Sequence, residues 1–143
     1  EGSLPLMKEI HIFIDLCATG TKQERNDKIN RLIQGVYSIA MFMIESGIPQ
    51  AYIWYDKVNG VIQEYSVEQE EELYWMFQEL FRSKTTTEES ELMEAYVDWG
   101  KGRLLESALY LTVADHESLD SGNLVRDRLE VMDLRGDVIE DQE

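Results

Sequence analysis

Two short runs constrain this chain more than any other feature. Ile10-His11-Ile12-Phe13-Ile14-Asp15-Leu16 and Ala108-Leu109-Tyr110-Leu111-Thr112-Val113-Ala114-Asp115 are apolar almost throughout, and each reaches an aspartate at its end. Successive side chains of a strand point to opposite faces, so a run that is apolar at odd and even positions alike must be covered on both sides. Helices supply the cover. Thr21-Lys22-Gln23-Glu24 has the form of a capping box, and Ile29, Leu32, Ile33, Val36, Tyr37, Ala40, Met43 and Ile44 recur at the i, i+3, i+4, i+7 spacing of one helix face. Gly47 and Pro49 end that helix. Gly35 inside it costs about 1 kcal/mol relative to Ala, an expense expected where the helix lies close to a sheet.

Ala51-Tyr52-Ile53-Trp54-Tyr55-Asp56 and Val61-Ile62-Gln63-Glu64-Tyr65 are aromatic and β-branched, and Asn59-Gly60 between them suits a type I′ hairpin turn. Ser66-Val67-Glu68-Gln69 reads as a second capping box, followed by Leu73, Met76, Phe77, Leu80 and Phe81 on one helix face. The glutamates over 68–72 then read as a solvated helix start that favours the positive end of the dipole. Lys84-Thr85-Thr86-Thr87 breaks the helix, and a further short one carries Leu92, Ala95, Tyr96 and Trp99 up to Gly100 and Gly102. A last strand is expected near 129–134. Strands alternating with amphipathic helices predict a three-layer, Rossmann-like open α/β sheet, mostly parallel with an antiparallel edge strand. Ligands of such sheets bind at the carboxyl ends of the strands, where Asp15 and Asp115 fall. Trp54, Trp75 and Trp99 are expected to pack in the core or at its edge.

Composition excludes several classes. Lys and Arg number 13 against 29 Asp and Glu, a formal charge of −16. That balance argues against a nucleic-acid binder or contact with anionic lipid. No apolar run approaches the roughly 18–20 residues of a membrane span. One cysteine leaves no internal disulfide and fits a reducing compartment. Residues 1–7 read as a tag remnant and linker, 8–135 as a domain cut from a longer protein, and 136–143 as an acidic tail. The location expected is the cytoplasm, or a soluble domain of a membrane-anchored protein. The acidity is uneven: residues 64–98 carry 11 acids against 2 bases and 115–143 carry 10 against 3, while 1–63 carry 7 against 6. A charged partner surface should therefore be basic and meet the later part of the chain.

Asp15-Leu16-Cys17-Ala18-Thr19 resembles the Asp-x-Ser-x-Ser motif of von Willebrand factor type A domains, which forms a metal-ion-dependent adhesion site. The long first helix, the edge hairpin, the threonine loop and the strand ending at Asp115 follow that family's order. The likeness is greatest to divergent bacterial domains of unknown function whose genes accompany MoxR-type ATPases. It implies Asp15, Cys17, Thr19, Thr86 and Asp115 as metal positions, Mg²⁺ as the ion, and a protein partner, a MoxR-type ATPase among the candidates. No enzymatic activity is expected. Cys17 departs from the motif, because a thiol is a soft, poor ligand for Mg²⁺, and His116 replaces the glycine after the last aspartate. The adhesion site is therefore expected to be degenerate.

The same five residues also resemble the Asp-x-Asp-x-Thr motif of haloacid-dehalogenase-type phosphatases, with Asp15 as nucleophile and Gly136-Asp137-x-x-x-Asp141 as the later acidic motif. Cys17 stands where that chemistry needs its general acid, and no space follows Asp15 for a cap. Cys17 also reads as a small buried residue. A zinc site of His11, His116, Cys17 and Asp115 is not expected, because His11 lies some 13 Å from Asp15 at about 3.3 Å per strand residue.

Overall fold

The computed structural model describes residues 9–100, 108–114 and 129–135. The expected tag remnant, Asp115, His116, the Gly136–Asp141 motif and the acidic tail lie outside them. Among the described residues one sheet has the order β3-β2-β1-β4-β5. β1 (Ile10–Ile14) is central, parallel to β2 (Gln50–Asp56) on one side and to β4 (Ala108–Thr112) on the other. β3 (Val61–Val67) is antiparallel to β2, and β5 (Leu129–Asp133) is parallel to β4. The fold is thus the open, mostly parallel α/β sheet with an antiparallel edge strand that the sequence pattern predicts.

Both faces are covered, as the apolar runs require. Ile12, Ile14, Tyr52, Trp54 and Leu111 join Leu32, Val36, Ala40 and Met43 of α1 (Lys22–Glu45) and Leu73, Met76 and Leu80 of α2 (Glu70–Arg82). On the opposite face Phe13, Ile53 and Tyr110 pack against Leu92, Met93 and Tyr96 of α3 (Leu92–Gly100). Phe13 meets Tyr96 edge to face, with ring centroids 4.8 Å apart. Each fully buried Ile or Phe contributes about 1.5–3 kcal/mol over an exposed one, so β1 alone anchors both layers. Trp54 is buried, stacked on Tyr65 and donating its Nε1 hydrogen to Ser83 Oγ at 2.8 Å. Trp75 is exposed, contrary to the expected packing, whereas the partly exposed Trp99 lies at the edge of the core with its ring centroid 5.6 Å from that of Tyr96.

Three local features differ from expectation for identifiable reasons. The hairpin has a four-residue loop, since Asp56 pairs with Val61. The Asp56 carboxylate accepts from Val58 N at 3.0 Å, Asn59 Nδ2 at 2.9 Å and Gln63 Nε2 at 3.3 Å, which satisfies a longer loop than a type I′ turn. Gly60 closes it at φ 68°, in the left-handed region that favours glycine. The second helix starts later than its apparent capping box: Ser66 stays in β3, Gln69 is the N-cap, and Glu72 Oε1 accepts from Glu68 N at 2.7 Å and Gln69 N at 3.1 Å. The face expected to bury Phe81 leaves that ring in solvent.

Gly35 does mark a close approach. A Cβ there would lie 2.6 Å from Leu134 Cδ1, just beyond β5. Alanine's helix propensity, worth about 1 kcal/mol, offsets the displacement of a mobile methyl group, so Gly35→Ala is expected to change stability by less than about 1 kcal/mol. Gly35→Val must displace Leu134 and should cost about 1–3 kcal/mol in urea unfolding.

Candidate functional site at the strand ends

In an open sheet the ligand crevice opens where connections leave neighbouring strands in opposite directions. β1 leads towards β2 and β4 towards β5, so this point lies between β1 and β4. Asp15 follows β1 there, and its N–H continues the ladder to Leu111 O at 3.0 Å. The side chain is only 3% exposed. Ser90 Oγ donates to Asp15 Oδ1 at 2.7 Å, and Thr112 Oγ1 donates to Oδ2 at 3.1 Å. Thr112 Oγ1 in turn accepts from Ala114 N at 2.9 Å. A serine hydroxyl has one proton. With that of Ser90 committed to Asp15, Tyr110, whose oxygen lies 3.3 Å from Ser90 Oγ, is the donor in their contact.

These hydroxyls surround a carboxyl group that burial holds above its ordinary value of 3.8, against the opposing pull of Ser90, Thr112 and Tyr110. Burial and the neighbouring Asp15 also push the Tyr110 hydroxyl far upward, so it keeps its proton. A buried polar carboxyl group is tolerable only when it is hydrogen-bonded, and here both oxygens are.

Cys17 and Thr86 are brought together as a single parallel bridge. Thr86 N donates to Leu16 O at 2.7 Å, and Ala18 N donates to Thr86 O at 3.0 Å. Thr86 Oγ1 is directed to Leu16 O at 3.4 Å. The connector between α2 and α3 is thereby pinned to the loop after β1. Cys17 is buried, and burial pushes its thiol above the ordinary 9.0. Thr19 is half-buried; its carbonyl accepts from Lys28 Nζ at 3.1 Å, while that of Gly20 accepts from Arg25 at 2.7 Å. Of the five positions singled out by sequence, Asp15, Cys17 and Thr86 meet in this junction, Thr19 lies in its outer loop, and Asp115 falls outside the described residues.

Sequence reasoning missed Ser90, Tyr110 and Thr112. Tyr110 and Thr112 were findable as two hydroxyls spaced by two on a central strand, hence on one face. Ser90 gave no such signal; it comes to Asp15 from just before α3.

A second group lies at the start of β1, where Glu9 precedes the strand, and on β3. One ligand atom each of Glu9, His11 and Glu64 lies within 4.8 Å of the others, a set that could hold a metal ion. His11 pairs with Ala51 on one side and Ala108 on the other, so small neighbours flank the imidazole. Its oxygen and nitrogen donors suit zinc better than the strand-end thiol suits Mg²⁺.

Among the described residues no helix is long and apolar enough to cross a membrane. In comparisons with protein-family models, curated proteins and solved structures, nothing matches the chain.

Two outcomes follow from the junction. Because the folded state holds Asp15's proton more tightly than the unfolded state, this group's contribution to stability is fully present below about pH 3.8 and is lost as pH rises through the raised folded value. Asp15→Asn should therefore gain stability relative to the parent as pH rises, while Asp15→Ala, which strands two hydroxyls, should lose about 1–3 kcal/mol. A parallel pH dependence for parent and Asp15→Asn in chemical unfolding would contradict the upward shift of the Asp15 carboxyl group. Separately, Cys17 should react with a disulfide reagent about tenfold or more slowly in the native chain than in denaturant, since thiolate and access are both suppressed.

Proposed function

We propose that the chain is a non-catalytic protein-interaction module, similar to von Willebrand factor type A domains, whose strand-end adhesion site is degenerate and works without metal. The observation that carries this is the engagement of Asp15, buried with Ser90 on one oxygen and Thr112 on the other. Mg²⁺ takes oxygen ligands in near-octahedral order and keeps several waters. Neither the occupied carboxyl group nor the buried Cys17 sulfur suits that demand, so the donor set does not fit the ion. The element order and the bridge joining Cys17 to Thr86 support the likeness. The same engagement weighs against the phosphatase alternative, because a nucleophilic carboxylate needs a free oxygen aimed at the phosphorus atom. On this reading the strand-end hydroxyls brace the loops that present the binding surface, and a MoxR-type ATPase is the partner to try first.

A thermal melt with added Mg²⁺ or Mn²⁺ tests the metal independence. Were the Kd about 1 mM, about 10 mM ion would add about 1.4 kcal/mol and raise the melting temperature by several degrees. No shift is expected. A shift that disappears in Asp15→Asn would sink the proposal, and so would turnover of a phosphoester that this variant abolishes.

A further inference from the structure

An apolar groove of about 980 Å³ runs between α1 and α2. Tyr37 on α1 and Tyr74, Phe77 and Phe81 on α2 line it, with Glu70 and Glu71 at one end. Tyr37, Tyr74 and Phe81 are 50%, 74% and 64% exposed. The rings of Tyr37, Phe77 and Phe81 form a continuous surface, since the centroids of Tyr37 and Phe77 lie 6.4 Å apart and those of Phe77 and Phe81 lie 5.6 Å apart. A contiguous aromatic patch with a polar rim marks an interaction site more often than scattered apolar residues do. We infer that this groove docks a short amphipathic helix of a partner protein, with its apolar face on the aromatic ladder and Lys or Arg at the end that meets Glu70 and Glu71.

Length, pattern and charge select that occupant. From position 70 to 81 the groove follows α2 for eleven steps, about 16 Å at 1.5 Å per residue, which matches a helix of about three turns. Tyr74, Phe77 and Phe81 repeat at the spacing that a helix laid into a groove reads with its own i, i+3, i+7 positions. Both charged lining residues are carboxylates, within a stretch of 11 acids and 2 bases, and the nearby Arg82 is already paired with Glu79 at 2.9 Å. Charge disfavours a second copy as occupant, because each chain carries −16. The groove shares no residue with the strand-end junction, so this inference stands or falls independently of the metal-free reading.

Fluorescence anisotropy with synthetic peptides tests it. The probe is a labelled three-turn helix with Leu at i, i+3, i+4 and i+7 and Lys at one end; its control carries Glu in place of Lys. The Lys peptide is expected to bind about tenfold tighter at low salt, and the advantage should shrink as ionic strength rises. Tyr74→Ala and Phe81→Ala, at exposed positions that leave the core intact, should each weaken binding about tenfold or more, as truncation of aromatic anchors does. Glu70→Lys combined with Glu71→Lys should reverse the charge preference. Equal binding of the two peptides, indifference to Tyr74→Ala, or no binding of the Lys peptide at about millimolar concentration would each overturn the inference. So would a dimer in sedimentation that Phe81→Ala disrupts, which would make a second copy the occupant.

Discussion

Ending a central strand on a buried carboxyl group imposes a debt that the surrounding structure must settle with hydrogen-bond donors. Asp15 has no partner near it in sequence; its donors lie 75 and 97 residues away, at Ser90 and Thr112. Leaving such a group unsatisfied would cost several kcal/mol, a large part of the 5–15 kcal/mol by which domains are typically stable. Satisfying it ties together the end of β1, the end of β4 and the segment entering α3. The neighbouring Cys17–Thr86 bridge ties in the connector from α2 as well. The strand-end surface is therefore braced from below by hydroxyl groups, which tie the loop after β1 to the neighbouring segments.

How much of this could be read in the sequence depends on how local the cause is. The two central strands, the long first helix and the edge hairpin were legible because each is written in its own period, 2 or 3.6, and its own punctuation. The hairpin loop was misread because Asn59-Gly60 is a strong local signal. The competing signal, Asp56 accepting from Val58, Asn59 and Gln63, acts through the side chain of the last residue of β2. The start of α2 was misplaced for a similar reason. Ser66-Val67-Glu68-Gln69 matches the capping pattern, but Ser66 pairs with Ala51 across the sheet, and that pairing won.

The candidate sites show the limit more sharply. Asp15 was legible as a strand-end acid, whereas its environment depends on the β1–β4 register, which sets Ile14 beside Leu111 and so brings Thr112 to Asp15. Glu9, His11 and Glu64 were invisible as a set, because Glu64 lies on β3, two strands away from His11, with β2 between them. Reasoning along β1 gives the spacing of His11 from Asp15, yet it cannot reveal what stands beside the imidazole. Sequence spacing measures distance along a strand; ligand sets in sheets form across strands.

The acidic start of α2 had an ordinary reading as a helix end that attracts negative charge, and the structure divides that reading between residues. Glu72 does the capping, accepting from the backbone of Glu68 and Gln69. A carboxylate near a helix N-terminus contributes typically about 0.3–1 kcal/mol, and the effect falls off within the first turn. One acid in hydrogen-bond contact uses most of that advantage. Glu70 and Glu71 face the groove beside Tyr74, adding like charge at the mouth of an apolar surface. Repulsion among the three glutamates offsets part of the dipole's benefit in the free chain, and a cation brought to the groove would remove that repulsion. The charge available to a basic partner is thus the part of the acidic turn that the helix end does not use for its own capping.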